Sequence, residues 1–251
     1  MKAQELEIDV IANNLANVNT KGFKKSRAEF QDLFYQEVRA ARAGEENAFQ
    51  GAPAPLEIGQ GTRAIATQKN FAVGDLIQTN NQLDVAIEGA GFLGVAMPDG
   101  STAFTRAGIL KLNAEGQIVT SEGHRIEPAI DVPIETKQIV IEADGMVKVM
   151  LPEEQNLLEI GQLRLRQFVN PGGLKSLGHN LFGSTEASGD PIEGIPGQDG
   201  LGTIQQGALE NSNVEVIEEM ISLIAAQRAY EINSRVIRAS DEMLRETASI
   251  R

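Results

Sequence analysis

The stretch from Ser212 to Ile250 contains neither proline nor glycine and carries apolar residues at a step of seven. Val216, Leu223, Tyr230, Ile237 and Leu244 form one line; Ala229, Val236, Met243 and Ile250 form a second, one place earlier in the heptad. A step of seven returns to nearly the same helix face, so these side chains make one long seam. Ser212 with Glu215 three residues on fits a capping box, and Glu218 and Glu219 place negative charge near the helix's positive end. Glu231 with Arg235 and Asp241 with Arg245 add i,i+4 pairs on the solvent side. At about 1.5 Å per residue the helix is roughly 50–55 Å long, more than a small core needs. Such a helix packs along other helices.

The beginning of the chain offers a partner. Ile8, Ile11, Leu15 and Val18 follow a 3-4-3 spacing over residues 2–19, the period of a coiled-coil stripe. Asn13, Asn14, Asn17 and Asn19 weaken that helix, and Thr20-Lys21-Gly22 marks its end, with Gly22 free to turn left-handed. A helix this short is marginal alone in water. The two ends are therefore expected to pack together or against neighbouring copies.

Between the ends the period changes. Short runs (LDVAIEG, FLGVAM, GQIVTS, QIVIEA, MVKVML, LRLRQFV) alternate with turn signals, among them Asp99-Gly100, Glu115-Gly116, Glu122-Gly123 and Asp144-Gly145. The expected class is α+β: coiled-coil-like terminal helices packed together around a central all-β antiparallel domain. Four regions follow: 1–42, a helix and an amphipathic arm (Phe30, Leu33, Phe34, Val38) that is helical or extended; 43–61, a Gly- and Pro-containing hinge or bracing loop; 62–205, the β domain; and 206–251, the C-terminal assembly helix. In the loop, Phe49 and Leu56 are the expected anchors on an adjacent subunit, with Glu45-Glu46 at the surface; a disordered linker without contacts is the alternative reading of the same composition.

Composition narrows the chemistry. A net charge of −13 and an aromatic content of 4% without tryptophan argue against nucleic acid as the partner. Residues 21–42 run the other way, with six Lys/Arg against three acids. The absence of cysteine removes disulfides, thiol catalysis and Cys-based zinc sites. No apolar run reaches a membrane span and the N-terminus has no signal-peptide core, so neither membrane insertion nor a cleaved secretory signal is expected. Gly89-Ala90-Gly91-Phe92-Leu93-Gly94 reads G-x-G-x-x-G, but Pro98-Asp99-Gly100 leaves no room for the helix a dinucleotide requires, so the glycines serve a tight connection between strands. His124 lies near Glu122 and Glu127, His179 stands alone, and acidic pairs such as Glu153-Glu154 read as solvated surface. This is a poor inventory for a metal site or a triad. No cofactor and no enzymatic activity are expected.

Ala12-Asn13-Asn14-Leu15-Ala16-Asn17-Val18-Asn19-Thr20-Lys21-Gly22-Phe23-Lys24 resembles the signature A-N-N-x-A-N-x-x-T-x-G-F of bacterial flagellar rod and hook proteins, with Ala12, Asn13, Asn14, Ala16, Asn17, Thr20, Gly22 and Phe23 at its defined positions. Gln78-Thr79-Asn80, Leu83 to Gly89, Gly91-Phe92, Pro98-Asp99-Gly100 and Thr105-Arg106-Ala107-Gly108 resemble the family's middle domain. Ser212-Asn213-Val214 and Gln227 to Ser234 are similar to its C-terminal element. The basal-body distal-rod type is nearest in resemblance and a proximal-rod type second. Family members begin about a dozen residues upstream, and Met1-Lys2-Ala3-Gln4 aligns inside their first helix, so either this chain lacks those first turns or its start is assigned late.

The resemblance implies a structural subunit that polymerises with itself into a helical tube in the periplasm, exported by the flagellar type III apparatus without a cleaved signal. Proximal-rod proteins lie below it, the hook protein above and ring proteins around it, and torque passes through packed helices. A soluble dimerising module whose β domain binds a ligand is the alternative from another class. A polymer subunit stays monomeric until nucleated, whereas a dimerising module has paired helices at any concentration.

Overall fold

The computed structural model describes residues 1–39, 56–152 and 157–249, with the backbone alone at Arg39, Leu56 and Ser249. An N-terminal helix, a central mostly-β region and a C-terminal helix make the chain α+β. Helix α1 spans Lys2–Ala16 and helix α2 spans Val216–Ser249. Between them, in order, lie β1 (Ser26–Asp32), β2 (Tyr35–Arg39), β3 (Leu56–Gly59), β4 (Thr62–Lys69), β5 (Leu76–Gln78), β6 (Val85–Glu88), β7 (Phe92–Ala96), β8 (Thr102–Thr105), β9 (Leu110–Leu112) and β10 (Ile118–Thr120). Then follow β11 (Arg125–Glu127), β12 (Gln138–Ile141), β13 (Met146–Met150), β14 (Leu157–Gln162), β15 (Leu165–Gln167), β16 (Lys175–Gly178), β17 (Leu181–Gly183), β18 (Ile192–Gly194), β19 (Thr203–Gln206) and β20 (Ala208–Glu210).

The chain divides into two compact units. One comprises residues 1–13, 26–68 and 220–251. In it, Asn233 donates from Nδ2 to Gln4 Oε1 at 2.9 Å, and Ile11 and Ala226 are buried. The amphipathic arm is extended: β1 pairs with β4, and β2 pairs antiparallel with β3 with Tyr35 opposite Gly59. The Leu33 amide bonds the Gly61 carbonyl between the two ladders. The loop expected over 43–61 is thus a strand at Leu56–Gly59, and β4 belongs to this ribbon rather than to the central sheets. Ladder hydrogen bonds between the two runs satisfy the backbone where glycine and proline content alone suggested a loop. Phe49 and the rest of the expected bracing segment before Leu56 lie outside the described residues, as do Glu153-Glu154 and the Leu56 side chain.

The other unit comprises residues 14–25 and 69–219. Its largest sheet runs β16-β17-β8-β7-β11-β10-β9, with β15 paired to both β7 and β18. β12-β13-β14 form a second sheet, and β19-β6 and β20-β5 are two-stranded. Every strand pair in this unit is antiparallel. The glycines of all four expected turn pairs adopt positive φ between consecutive strands. Inward-facing residues of these short strands, including Val85, Leu93, Ile126, Val147, Val149 and Leu165, make one core. Phe92, Phe104, Phe168 and Phe182 make a second, with Phe71 packed on it and rings meeting edge to face, Phe104 and Phe168 at 4.8 Å.

Helix α1 is shorter than its apolar period suggests, and α2 begins four residues after the expected cap at Ser212. α1 stops at Ala16, so Val18 sits in a turn; the Asn17 and Val18 amides reach back to Asn14 and Leu15, and Thr20 Oγ1 bonds Asn17 Oδ1. Asparagine side chains compete for the backbone here. The capping box does not form: α2 begins at Val216, the Glu219 amide closes the first turn on the Glu215 carbonyl, and Ser212 Oγ accepts from the Val214 amide instead.

Candidate assembly site

The most buried charges of the described chain stand where both terminal segments enter the β unit. Lys24 Nζ lies 2.5 Å from Glu210 Oε1, and Arg106 Nε lies 2.9 Å from Glu210 Oε2; the Lys24 and Glu210 side chains are wholly buried. Further hydrogen bonds surround the pair. Lys24 Nζ also donates to the Ala72 carbonyl at 2.6 Å, and the Gly74 amide donates to Glu210 Oε1 at 2.9 Å. The Arg106 guanidinium reaches the carbonyls of Ile87, Gly89 and Gly91 and lies over the Phe92 ring. Burial holds the Lys24 ammonium below its usual range; the hydrogen bond to Glu210 opposes this, and the Arg106 charge adds to the lowering. Among the described residues no buried side-chain nitrogen or oxygen lacks a hydrogen-bond partner. The site is a structural lock.

The lock explains the glycine-rich run. Gly89 and Gly91, at φ 121° and 139°, turn the chain from β6 into β7, and their carbonyls face the Arg106 fork. A strand follows, so no helix N-terminus is available to a pyrophosphate.

The N-terminal motif residues divide by role. Phe23 is buried beneath the Lys69 ammonium, 4.9 Å from its ring, and burial lowers the Lys69 pKa. Gly22 has φ 71°, and a Cβ there would stand 2.8 Å from the Ala107 backbone. Asn14 is buried and donates to Glu219 Oε2 at 3.3 Å. Asn17 receives Thr20 as described above. Ala12, Asn13 and Ala16, by contrast, are exposed on α1. Asn213 of the C-terminal block receives the Lys25 amide on Oδ1 and donates to the carbonyls of Asn70 and Ala72.

Of the expected seam, Ile11 is buried, and Ile8, Leu15, Val18 and Leu223 are half-buried. Val216, Tyr230, Ile237 and Leu244 are exposed. The face of α2 opposite Ala226 also carries apolar residues in water: Ile217 is 69% exposed, Ile221 63% and Ile224 50%. Helix α2 thus has an apolar line on two sides; the second is legible in the sequence as Ile217, Ile221 and Ile224 at i, i+4 and i+7, outside the heptad line of Val216 to Leu244.

His179 does not stand alone. Its Nδ1 lies 2.5 Å from Glu122 Oε1, and His124 Nε2 lies 3.7 Å from Glu122 Oε2, because the β10–β11 and β16–β17 turns are neighbours. Among the described residues no three His, Cys, Asp or Glu side chains are arranged to hold a metal ion. The sequence did not single out Glu210. Its one signal was a carboxylate closing an otherwise apolar run in β20.

Three regions match family models: residues 1–24 a flagella basal body rod protein model, 86–149 the flagellar hook protein FlgE/F/G D1 domain, and 205–250 the flagellar basal body rod FlgEFG protein C-terminal region. Lys24, Arg106 and Glu210 fall one in each. The chain is 47% identical to the flagellar basal-body rod protein FlgG of Borreliella burgdorferi, over 97% of this chain and 92% of that protein. It is 42% identical to the FlgG of Caulobacter vibrioides and 34% to that of Bacillus subtilis, each over 100% of this chain and 96% of the relative.

Proposed function

Since the chain belongs to the flagellar basal-body rod proteins, of the FlgG type, we propose that it is a distal-rod subunit that polymerises through its terminal helices. That family is structural and not a family of enzymes. The observation that carries the reading is the apolar surface of α2: Met243 at 62% and Leu244 at 66% exposed, with Ile217 and Ile221, lie on a helix of 34 residues. A single subunit leaves that surface in water, and a polymer removes it. Ile8, Ile11, Leu15 and Val18 with Val216, Leu223, Tyr230, Ile237 and Leu244 are the residues assigned to coiled-coil-like packing in the assembled tube. In this reading the tube stands in the periplasm, reached through the flagellar export apparatus, meets proximal-rod and hook proteins at its ends and ring proteins around it, and passes torque through its helices. The segment 43–61, with Phe49 and Leu56, braces adjacent subunits.

Polymerisation of the purified chain, followed by sedimentation and electron microscopy, tests this. Wild-type protein is expected to form tubes above a critical concentration, and Leu244→Asp to stay monomeric with an unchanged β-unit melting transition. Wild-type protein that remains monomeric at every concentration, with and without rod seeds, overturns the proposal.

A further inference from the structure

The two helices carry complementary outward faces. On α1, Glu5, Asp9, Ala12 and Ala16 stand at i, i+4, i+7 and i+11, all exposed, on the side away from buried Ile11. On α2, Ile221, Ile224, Arg228 and Arg235 stand at i, i+3, i+7 and i+14, also exposed, on the side away from buried Ala226. An open groove runs along this side, lined by Ile224, Gln227, Arg228, Glu231, Ile232 and Arg235. Among the described residues Glu5, Asp9 and Arg228 make no ion pair, and Arg235 reaches only Glu231 in its own helix at 3.6 Å. Two carboxylates at i,i+4 repel each other, so α1 gains from an external cation.

Resting on the polymer reading above, we propose that the outward face of α2 receives α1 of a second copy, antiparallel, with Asp9 against Arg228, Glu5 against Arg235 and Ala12 over Ile224. The pattern selects both direction and register. In the antiparallel sense acids meet arginines and small alanines meet large isoleucines, so the backbones approach closely. In the parallel sense the acids face isoleucines and are desolvated without partners. Two α2 helices face to face would set arginine against arginine. Along the axes, Glu5 to Asp9 spans about 6 Å and Arg228 to Arg235 about 10.5 Å, a mismatch that the long arginine side chains absorb. The pairing fixes the register of one subunit on the next, because charges out of place cost more than apolar contacts out of place.

The chain has no cysteine, so engineered thiols report contacts without background. Full-length Ala12→Cys and Ile224→Cys proteins carrying different tags are mixed, polymerised and oxidised. The expected product is a disulfide-linked pair containing both tags, at least tenfold more abundant than that from Ala12→Cys with Arg235→Cys. Arg228→Glu with Arg235→Glu is expected to lower polymer mass at least tenfold, and adding Glu5→Arg with Asp9→Arg is expected to restore it. Tubes of the mixed Ala12→Cys and Ile224→Cys proteins without the in-register cross-link, cross-links within Ile224→Cys protein alone, or no rescue by the charge exchange overturn this pairing while leaving the rod assignment standing. Failure of the wild-type protein to polymerise overturns both.

Discussion

Lys24 and Glu210 stand 186 positions apart in the chain, and their side chains meet at 2.5 Å with no exposure to solvent. The backbone repeats the join: the Gly22 amide donates to the Glu210 carbonyl at 2.8 Å. Arg106 closes the set from the β8–β9 connection. The end of the N-terminal motif and the strand leading toward α2 are thereby fastened to each other inside the β unit. A buried ion pair adds little to stability against an apolar replacement, but it is costly to leave half-made.

That asymmetry predicts an order of mutational effects. Glu210→Gln leaves two cations facing each other in a dry site, and a loss of about 3–5 kcal/mol is expected. Lys24→Met keeps the Arg106–Glu210 pair and fills the volume, so a smaller loss is expected. Urea unfolding of both variants checks this; equal losses would show that the lysine and the arginine are not alternatives for one carboxylate.

The pH dependence follows from the lowered Lys24 pKa. The unfolded lysine, with a pKa of about 10.4, holds its proton more tightly than the folded one. Between the lowered folded value and about 10.4 the unfolded state therefore binds more protons, and the Lys24 contribution to stability rises with pH. Below that window the cost of burying the charge is fully present. In wild type minus Lys24→Met, stability is expected to increase across the alkaline window, read as the difference in urea midpoints between pH 8 and pH 10. A falling difference would contradict the dominance of desolvation.

Gly22→Ala is expected to destabilise by at least about 1–2 kcal/mol from the left-handed backbone alone, with more from the 2.8 Å approach to Ala107. The thermal transition of the β unit measures it. Gly100→Ala supplies the control, since Gly100 has φ 82° but open space around its Cβ position; equal shifts would exclude the close approach as a cause.

Tryptic cleavage at exposed Arg27 is expected to leave the N-terminal peptide attached. Residues 14–25 belong to the β unit, with Phe23 and Lys24 buried there. Denaturing gels of a limited digest should show the residue 1–27 peptide among the pieces, and native mass spectrometry should show it still bound. Release of the peptide from the nicked wild-type protein would mean that the lock does not hold it.

The sequence determined the elements whose information is local. The seven-residue step fixed α2, because a helix returns to the same face every two turns; the alternating runs and the Asp-Gly and Glu-Gly pairs fixed β6, β7, β10, β12, β13 and β15, because period 2 and positive φ leave few other solutions. The motif blocks identified the family. Tertiary structure decided what depends on distance along the chain. The arm is extended because Ser26–Asp32 finds Thr62–Lys69, a pairing that the helical spacing of Phe30 and Phe34 hides. Val18 left the helix because Asn14, Asn17 and Thr20 found bonds in a turn. Glu210 became the centre of the lock because Lys24 and Arg106 arrive from far parts of the sequence, and no periodicity records which buried carboxylate will meet which cation.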